Sequence, residues 1–436
     1  MDFARSAHPQ VQAQLDRLAM LSPAGDRLGL ERIGKLLERL GRPQDRLPPV
    51  FHVAGTNGKG STVAFLRAAL EAAGSKVHAF TSPHLVRFNE RIRVAGKLIE
   101  DDPLAHLLTE VIDAGAGIQP SFFEVATAAA FLAFARTPAD ACILEVGLGG
   151  RLDATNIIKR PLVTGISDLG FDHQHYLGKR LIDIAGEKAG IAKRGVSLVT
   201  QDYPPRIARR VGEVADAAGA WLKARGKAWD AGIIDERLRY HDAGGDLDLP
   251  LPALPGPHQA RNASLAIAML RHQSALSIST GAMSRGLTSA NWPGRLQLLG
   301  PGPLTARLPG RRVWLDGGHN RKAALAIAAQ MAEHAPFDLI FALTRTRRIS
   351  EVLGPLAPLV RKAHTIPLPG HEHHDPRDIA MLAQSRVGPR ECYPASTLDQ
   401  AIERLAKDPG GAANVLIFGS LYLAGEVLAA NDQLPN

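Results

Sequence analysis

Between the apolar run Val50-Phe-His-Val-Ala54 and a helical-period stretch at 61–73 lies the turn Gly55-Thr-Asn-Gly-Lys-Gly60. The flanks read as a buried strand and a helix that stops at Gly74. No other segment limits the fold as much. A glycine-rich turn in that setting aims several backbone N–H groups at one point, and the positive end of the helix dipole adds to the same field. Such a concavity holds an anion. Lys59 adds a mobile positive charge that can reach β- and γ-phosphates, and a charge-assisted hydrogen bond of this kind contributes roughly 1.5–3 kcal/mol. The match to G-x-x-x-x-G-K-[ST] is incomplete. Val53 stands where the first glycine belongs, and Gly60 separates Lys59 from the hydroxyls of Ser61 and Thr62. The strand–turn–helix context outweighs both departures. Gly55, Thr56, Asn57, Gly58, Lys59, Gly60 and Ser61 are predicted to cradle the phosphates of ATP or GTP.

A chain of 436 residues is too long for one compact core, so two domains are expected. Strand-like and helix-like runs alternate almost throughout, which predicts an α/β fold with parallel sheets. Further buried strands are predicted at 76–81, 141–146, 162–167 and 196–200, with helices at 182–192, 205–218 and 262–271. The Gly-, Asp- and Pro-rich stretch 226–257 reads as irregular, with room for a hairpin. The Pro-Gly pair in Asn291-Trp-Pro-Gly-Arg-Leu-Gln297, followed by Gly300-Pro-Gly-Pro303, marks a hinge. This predicts an N-terminal domain at 1–295 and a smaller α/β domain at 296–436. In the second, strands are expected at 312–315, 339–343, 365–368 and 415–418, with helices from 322 and near 376–384.

Hydrophobic residues at 45% and charged residues at 22% are ordinary for a globular enzyme. No apolar run approaches the roughly 20 residues that cross a bilayer, and the N-terminus lacks the apolar core of a signal peptide. Cys142 and Cys392 stand far apart in predicted strands, so no disulfide framework is expected and a reducing cytoplasm fits. The formal charge of +8 suits polyanionic small molecules as well as nucleic acid. No basic run is interleaved with aromatics, and neither nucleic acid nor membrane is an expected partner.

Three segments beyond the turn carry chemistry. In Ile143-Leu-Glu-Val-Gly-Leu-Gly-Gly150, Glu145 closes an apolar strand, where a carboxylate is costly unless paired or bound to a cation. Ligands of open α/β sheets lie at the carboxyl ends of strands, so Glu145 is predicted to ligate Mg²⁺. Ser167-Asp-Leu-Gly-Phe-Asp-His173 also follows a strand; His173 is open to three roles, as metal ligand, base or turn cap. Lys188 lies inside the mostly apolar helical segment Ile184-Ala-Gly-Glu-Lys-Ala-Gly-Ile191. Desolvation favours the neutral amine, which can take up CO₂ to form a carbamate. The alternative is a stem lying along the surface with its head in water. His371-Glu-His-His-Asp375 lacks the H-E-x-x-H spacing and reads as a polar loop before a helix. Asp316-Gly-Gly-His-Asn320 follows the second domain's first strand, a setting for polar groups that face a ligand.

Ten segments in order resemble the folylpolyglutamate synthase/dihydrofolate synthase family of the Mur ligase superfamily. They are GTNGKGS at 55–61, TSPHLVRFNERIRV at 81–94, SFFE at 121–124, LEVGLGGRLDATN at 144–156 and FDH at 171–173. The others are EKAGI at 187–191, GPHQARNA at 256–263, WPGR at 292–295, DGGHN at 316–320 and FGSLYLAGEV at 418–427. The resemblance implies a P-loop ATPase-type parallel-sheet domain followed by a Rossmann-like domain, in a monomer. It implies phosphate binding by Gly58, Lys59, Gly60 and Ser61, and two Mg²⁺ ions held by Ser82, Glu145, His173 and a carbamylated Lys188. Asn262, Arg295 and Asp316 would contact ATP. Residues 26–30 with Phe122, Phe123 and Glu124 would meet the pterin substrate, and Arg151 and Asp153 are further substrate-binding residues. His319 and Ser420 would meet incoming glutamate. Gly318 replaces the usual alanine of DGAHN, Arg321 the proline that often follows, and Gln297 the glutamate common after WPGR.

The implied reaction joins L-glutamate to dihydropteroate and to reduced folates, with ATP activating the acceptor carboxylate as an acyl phosphate. Lys59, Lys188 and His173 are the residues expected to carry it. Domain closure would keep water from the acyl phosphate. A folylpolyglutamate synthase that only extends the chain is the alternative within the family. A peptidoglycan-precursor ligase and a nucleotide-gated regulatory protein are the alternatives outside it.

Overall fold

Eight strands form the sheet that carries the phosphate loop in the computed structural model, which describes residues 6–21 and 28–436. They are β1 Val50–Ala54, β2 Val77–Phe80, β3 Ile92–Val94, β4 Lys97–Leu98, β5 Ala141–Glu145, β6 Val163–Ile166, β7 Ser197–Thr200 and β8 Trp221–Ala224. Their spatial order is β4-β3-β2-β5-β1-β6-β7-β8. All neighbours run parallel except at β3, which is antiparallel to both β2 and β4. Central β1 is buried along its whole length, as an apolar run flanked on both sides must be. Val53 pairs with Glu145 on one side and Gly165 on the other. The loops that leave β1, β5 and β6 therefore emerge level with one another, at the carboxyl edge where α/β sheets bind ligands.

Helices cover both faces. Phe122–Arg136 starts at a capping box in which Ser121 and Glu124 satisfy each other's backbone N–H groups. Its Phe131 and Phe134 are buried with Val11, Leu15, Leu36 and Phe88, each ring worth roughly 1.5–3 kcal/mol of burial. A second cluster joins Ala54 and Ile166 to Ala185, Ala189, Ile207 and Val211 of the helices Leu181–Ala189 and Pro205–Ala218.

The stretch read as irregular is a three-stranded antiparallel sheet: β9 Trp229–Ile234, β10 Arg237–Asp242 and β11 Gly245–Pro250. Leu238, Tyr240, Leu247 and Leu249 point inward while Arg239, His241, Asp246 and Asp248 face water. The first turn, Asp235-Glu236, takes φ of 49° and 55°, and it lacks the Asn-Gly or Asp-Gly pair that usually announces such a hairpin.

The chain folds into two compact units, Met1–Ala253 with Pro257–Asn291, and Leu254–Gly256 with Trp292–Asn436. Trp292–Arg295 thus groups with the second unit, four residues before the expected boundary. Hydrogen bonds account for this: Gly317 N–H donates to Gly294 O at 2.9 Å, and Leu296 N–H donates to Asp316 Oδ2 at 2.8 Å. The second unit holds β12 Gln297–Leu298, β13 Arg312–Asp316, β14 Phe337–Phe341, β15 Val360–Thr365, β16 Cys392–Pro394 and β17 Asn414–Phe418, ordered β12-β13-β17-β14-β15-β16. Only β12 is antiparallel. The strand expected at 365–368 lies earlier, at β15, where Arg361, Lys362 and His364 hide the strand behind polar side chains. Cys142 and Cys392 are buried free thiols. Among the described residues, no helix is long and apolar enough to cross a membrane.

Asp338 on β14 is 0% exposed. It takes two hydrogen bonds of 2.8 Å from Arg361 and one of 3.1 Å from Ala412 N–H, with Arg311 at 3.4 Å. Asp338→Ala leaves two guanidinium groups without their buried partner. It is expected to destabilise this unit by roughly 3–5 kcal/mol in urea unfolding. A loss below about 1 kcal/mol would show that water replaces the carboxylate.

Candidate functional site

The phosphate loop is held open by two glycines that no other residue replaces. Gly55 has φ +152° and Gly58, which caps the helix Lys59–Ala72, has φ +86°. A Cβ on Gly55 would strike Ser167 Oγ, and one on Gly58 would strike the Asn262 side chain. Ser167 Oγ is committed to Asn57 O at 2.8 Å, so it does not yield. The loop after β6 pins the turn further: Thr56 N–H donates to Asp168 O at 2.8 Å, and Thr56 Oγ1 meets both backbone groups of Gly170 at 3.1 Å. Lys59 Nζ folds back onto Gly55 O at 3.2 Å and Thr56 O at 3.5 Å. Gly60 and Ser61 lie buried in the first turn of that helix. A rigid turn with a helix N-terminus behind it and a lysine at its lip suits a polyphosphate.

The predicted metal ligands come from the same edge. Glu145 ends β5, 4% exposed, and its Oε2 accepts a long 3.3 Å hydrogen bond from Ser82 N–H. His173 has φ +48° in the loop after β6, with its imidazole 3.8 Å from Asp172 Oδ1. Lys188 is 3% exposed, and its Nζ donates to Gly55 O at 2.8 Å, so both lysines meet on one carbonyl. Burial pulls the Lys188 amine down to about 7, helped by the charge of Lys59 and opposed by Asp172 and Asp153. Among the described residues, no three His, Cys, Asp or Glu side chains converge as a metal site. Ser82, Glu145, His173 and a carboxylated Lys188 are the set that family resemblance would assign to a cation here. That set of hard oxygens with one imidazole fits Mg²⁺ or Mn²⁺.

The predicted substrate residues come from the start of the helix Phe122–Arg136 and the loop after β5. Phe123 lies against Gly147 so closely that a Cβ there would enter its ring, and Phe122 packs edge-on to Phe88 at 5.7 Å. Glu124 Oε2 accepts from Ser121 N–H at 2.7 Å and Arg32 Nε at 3.0 Å, while Oε1 is buried without a partner. Asp26 and Arg27, which open the segment expected at 26–30, lie outside the described residues. Arg151 binds Glu187 at 2.9 Å. Asp153 is turned inward, accepting from Leu148 N–H at 2.9 Å and Thr155 Oγ1 at 2.5 Å, and burial pushes its carboxyl up.

Sequence reasoning missed the partners of that carboxyl. His52 of β1 reaches Thr155 Oγ1 at 2.8 Å, tying the strand before the phosphate loop to the loop that follows Glu145. Residues 103 apart carry no spacing signal. Asp172, buried beside His173, was missed too, although it sits in the same FDH segment.

Within the second unit, Asp316 ends β13, and its carboxylate accepts from Gly318 N–H at 2.6 Å as well as Leu296 N–H. Burial raises its pKa against the pull of Arg295. A Cβ at Gly318 would crowd Asp316, Phe418 and Ala323, so alanine is not neutral in this chain. His319 Nδ1 lies 3.1 Å from Gly317 O, and Ser420 Oγ caps the helix Leu421–Ala430 after adjacent β17. Gln297 Oε1 accepts from Gly294 N–H at 2.9 Å, a role that needs no charge. His371–Asp375 is a loop, in which Asp375 caps the helix Pro376–Leu382 and His374 meets Arg347 O at 2.7 Å.

No family model matches the chain. A Bacillus subtilis dihydrofolate synthase/folylpolyglutamate synthase is 34% identical over 433 residues, 92% of this chain and 95% of that one. A solved structure of Escherichia coli FolC in complex with DHPP and ADP superposes with a TM-score of 0.86 at 32% identity, covering 98% of each chain. A bifunctional folylpolyglutamate synthase/dihydrofolate synthase with Mn, AMPPNP and L-glutamate bound gives 0.85 at 30%, covering 98% of this chain and 99% of the other. Identity at this level along nearly the full length of both sequences, in one shared fold, makes the chain a member of the dihydrofolate synthase/folylpolyglutamate synthase family.

Proposed function

We propose that this chain is an ATP-dependent ligase that joins L-glutamate to dihydropteroate and to reduced folates already carrying glutamate, releasing ADP and phosphate. The observation that carries this reading is the meeting of Lys59 and the buried Lys188 on Gly55 O, at the head of a glycine turn level with Glu145. Such a site suits phosphoryl transfer to a carboxylate. The oxide of a free carboxylate is too poor a leaving group for direct attack by an amine, so it must be activated first, and release of ADP and phosphate makes the activated species an acyl phosphate.

The phosphate-loop N–H groups hold the triphosphate, and Lys59 leaves its two carbonyls to meet the charge that builds on the transferring phosphoryl group. Asn262, which fills the space beside Gly58, fixes the turn and contacts ATP; Arg295 and Asp316 keep the ATP contacts implied by family resemblance. Ser82, Glu145, His173 and a carbamate on Lys188 would hold two Mg²⁺ ions. When bound, these supply positive charge to the phosphate oxygens. An amine near pKa 7 is about half neutral at pH 7, whereas an ordinary lysine is neutral in only about one molecule in a few thousand. The neutral form is the one that takes up CO₂. Glu124 Oε1, buried and unpartnered, is the acceptor for a pterin N–H, with Phe122 and Phe123 beside it and Arg151 and Asp153 on the adjoining loop. His319 and Ser420 receive glutamate.

The test is mass analysis of product from dihydropteroate, ATP, Mg²⁺ and glutamate. Dihydrofolate with one ADP per amide bond is expected. Product only from folates that already carry glutamate would make the chain a monofunctional folylpolyglutamate synthase. Turnover only with UDP-linked peptides would overturn the folate assignment.

A further inference from the structure

In the second unit, on the side of the sheet away from β13, a cleft of about 420 Å³ is lined by Lys362, His364, Tyr393 and Arg404. Three spacings separate β15 from β13, which ends at Asp316, about 14 Å across the sheet. The cleft falls in the size range of small-molecule sites. Lys362 and His364, two apart on β15, share a face, and Tyr393 stands opposite His364 in register. Arg404 comes from the helix Leu398–Ala406.

The donors are only partly used. Lys362 Nζ binds Asp408 at 2.5 Å and Glu391 at 3.6 Å, leaving a third donor. Arg404 Nη1 donates to Pro394 O at 2.7 Å, and four more N–H groups remain. His364 is 3% exposed, and its Nδ1 has no hydrogen-bond partner, a state that costs stability unless something binds there. Burial, with Arg404 and Lys362 next, lowers its pKa to about 4, so the ring is neutral at pH 7 and can carry its one N–H on Nδ1. The charges acting on the ring are Arg404 and Lys362 against Asp338 and Asp408, and the two that line the cleft are both positive.

We propose that this cleft binds a small oxyanion, its phosphate or carboxylate oxygens held by Lys362 and Arg404 and by an N–H of His364, with the Tyr393 ring as one wall. The site stands apart from the ligase reading and survives its failure. Two sources share this chemistry: inorganic phosphate and the carboxylates of a glutamate oligomer.

Calorimetric titration of the full chain carrying Lys59→Ala, which weakens the phosphate loop, distinguishes them with inorganic phosphate and tri-γ-glutamate as probes. One-site binding of at least one probe is expected, and the probe that binds names the source. Arg404→Met, on an exposed side chain, is expected to weaken it roughly 10–100-fold, the worth of one charge-assisted hydrogen bond. His364→Phe is expected to weaken it roughly 2–10-fold, with no fall in melting temperature. Should His364→Phe fail to fold, Arg404→Met alone decides. No binding of either probe at millimolar concentration, or binding unchanged in Arg404→Met, would overturn the site.

Discussion

Lys59→Ala is expected to lower kcat for glutamate ligation by roughly 10²–10³-fold, the usual loss when a charge-stabilising donor is removed from a preorganised site. The physical reason lies in where the side chain rests. Its Nζ is held by two loop carbonyls at 3.2 and 3.5 Å, contacts that a γ-phosphate outbids on charge. Truncation leaves the turn itself intact, since its shape depends on Gly55, Gly58 and the hydrogen bonds to the loop after β6. ATP affinity should therefore fall by only about one to two decades while turnover falls further. Steady-state kinetics with a calorimetric Kd for ATP separates the two effects. An unchanged kcat would remove Lys59 from the chemistry.

Lys188→Ala is expected to cost at least about 100-fold in activity, with the fold preserved. The amine is buried against Gly55 O, and removing a lone buried amine is less harmful to stability than removing one partner of an ion pair. What disappears, on the proposed reading, is the amine that would take up CO₂ as a carbamate. Millimolar formate or acetate should restore part of the rate by occupying the space left by the side chain. Depleting CO₂ should slow the wild-type protein and leave the variant unaffected. Full activity in the unrescued variant, or no effect of short carboxylates on an inactive but folded one, would refute the carbamate.

The phosphate turn, Glu145 and Lys188 were legible because each breaks a local pattern. A glycine cluster between strand and helix, a carboxylate closing an apolar strand and a lysine inside an apolar helix are all visible without tertiary information. The fold around β1 followed from the same alternation. Other features were hidden for physical reasons. β15 carries Arg361 and Lys362 because Asp338 on β14 and Asp408 in the loop after the helix Leu398–Ala406 neutralise them, so an apolar pattern underestimates it. The β9–β11 sheet turns on Asp235-Glu236, a pair without the usual turn signature. The second unit claims Trp292–Arg295 through hydrogen bonds to the end of β13 that composition does not announce. His52 and Thr155 meet across 103 residues, and only the sheet brings them together.

The central claim is that the acceptor carboxylate is phosphorylated before glutamate attacks. Dihydropteroate labelled with oxygen-18 in its carboxyl group tests this when phosphate is recovered from the complete reaction and weighed by mass spectrometry. Transfer of one labelled oxygen to each phosphate released is the predicted result; phosphate free of label, formed at the same rate as the amide, would contradict it.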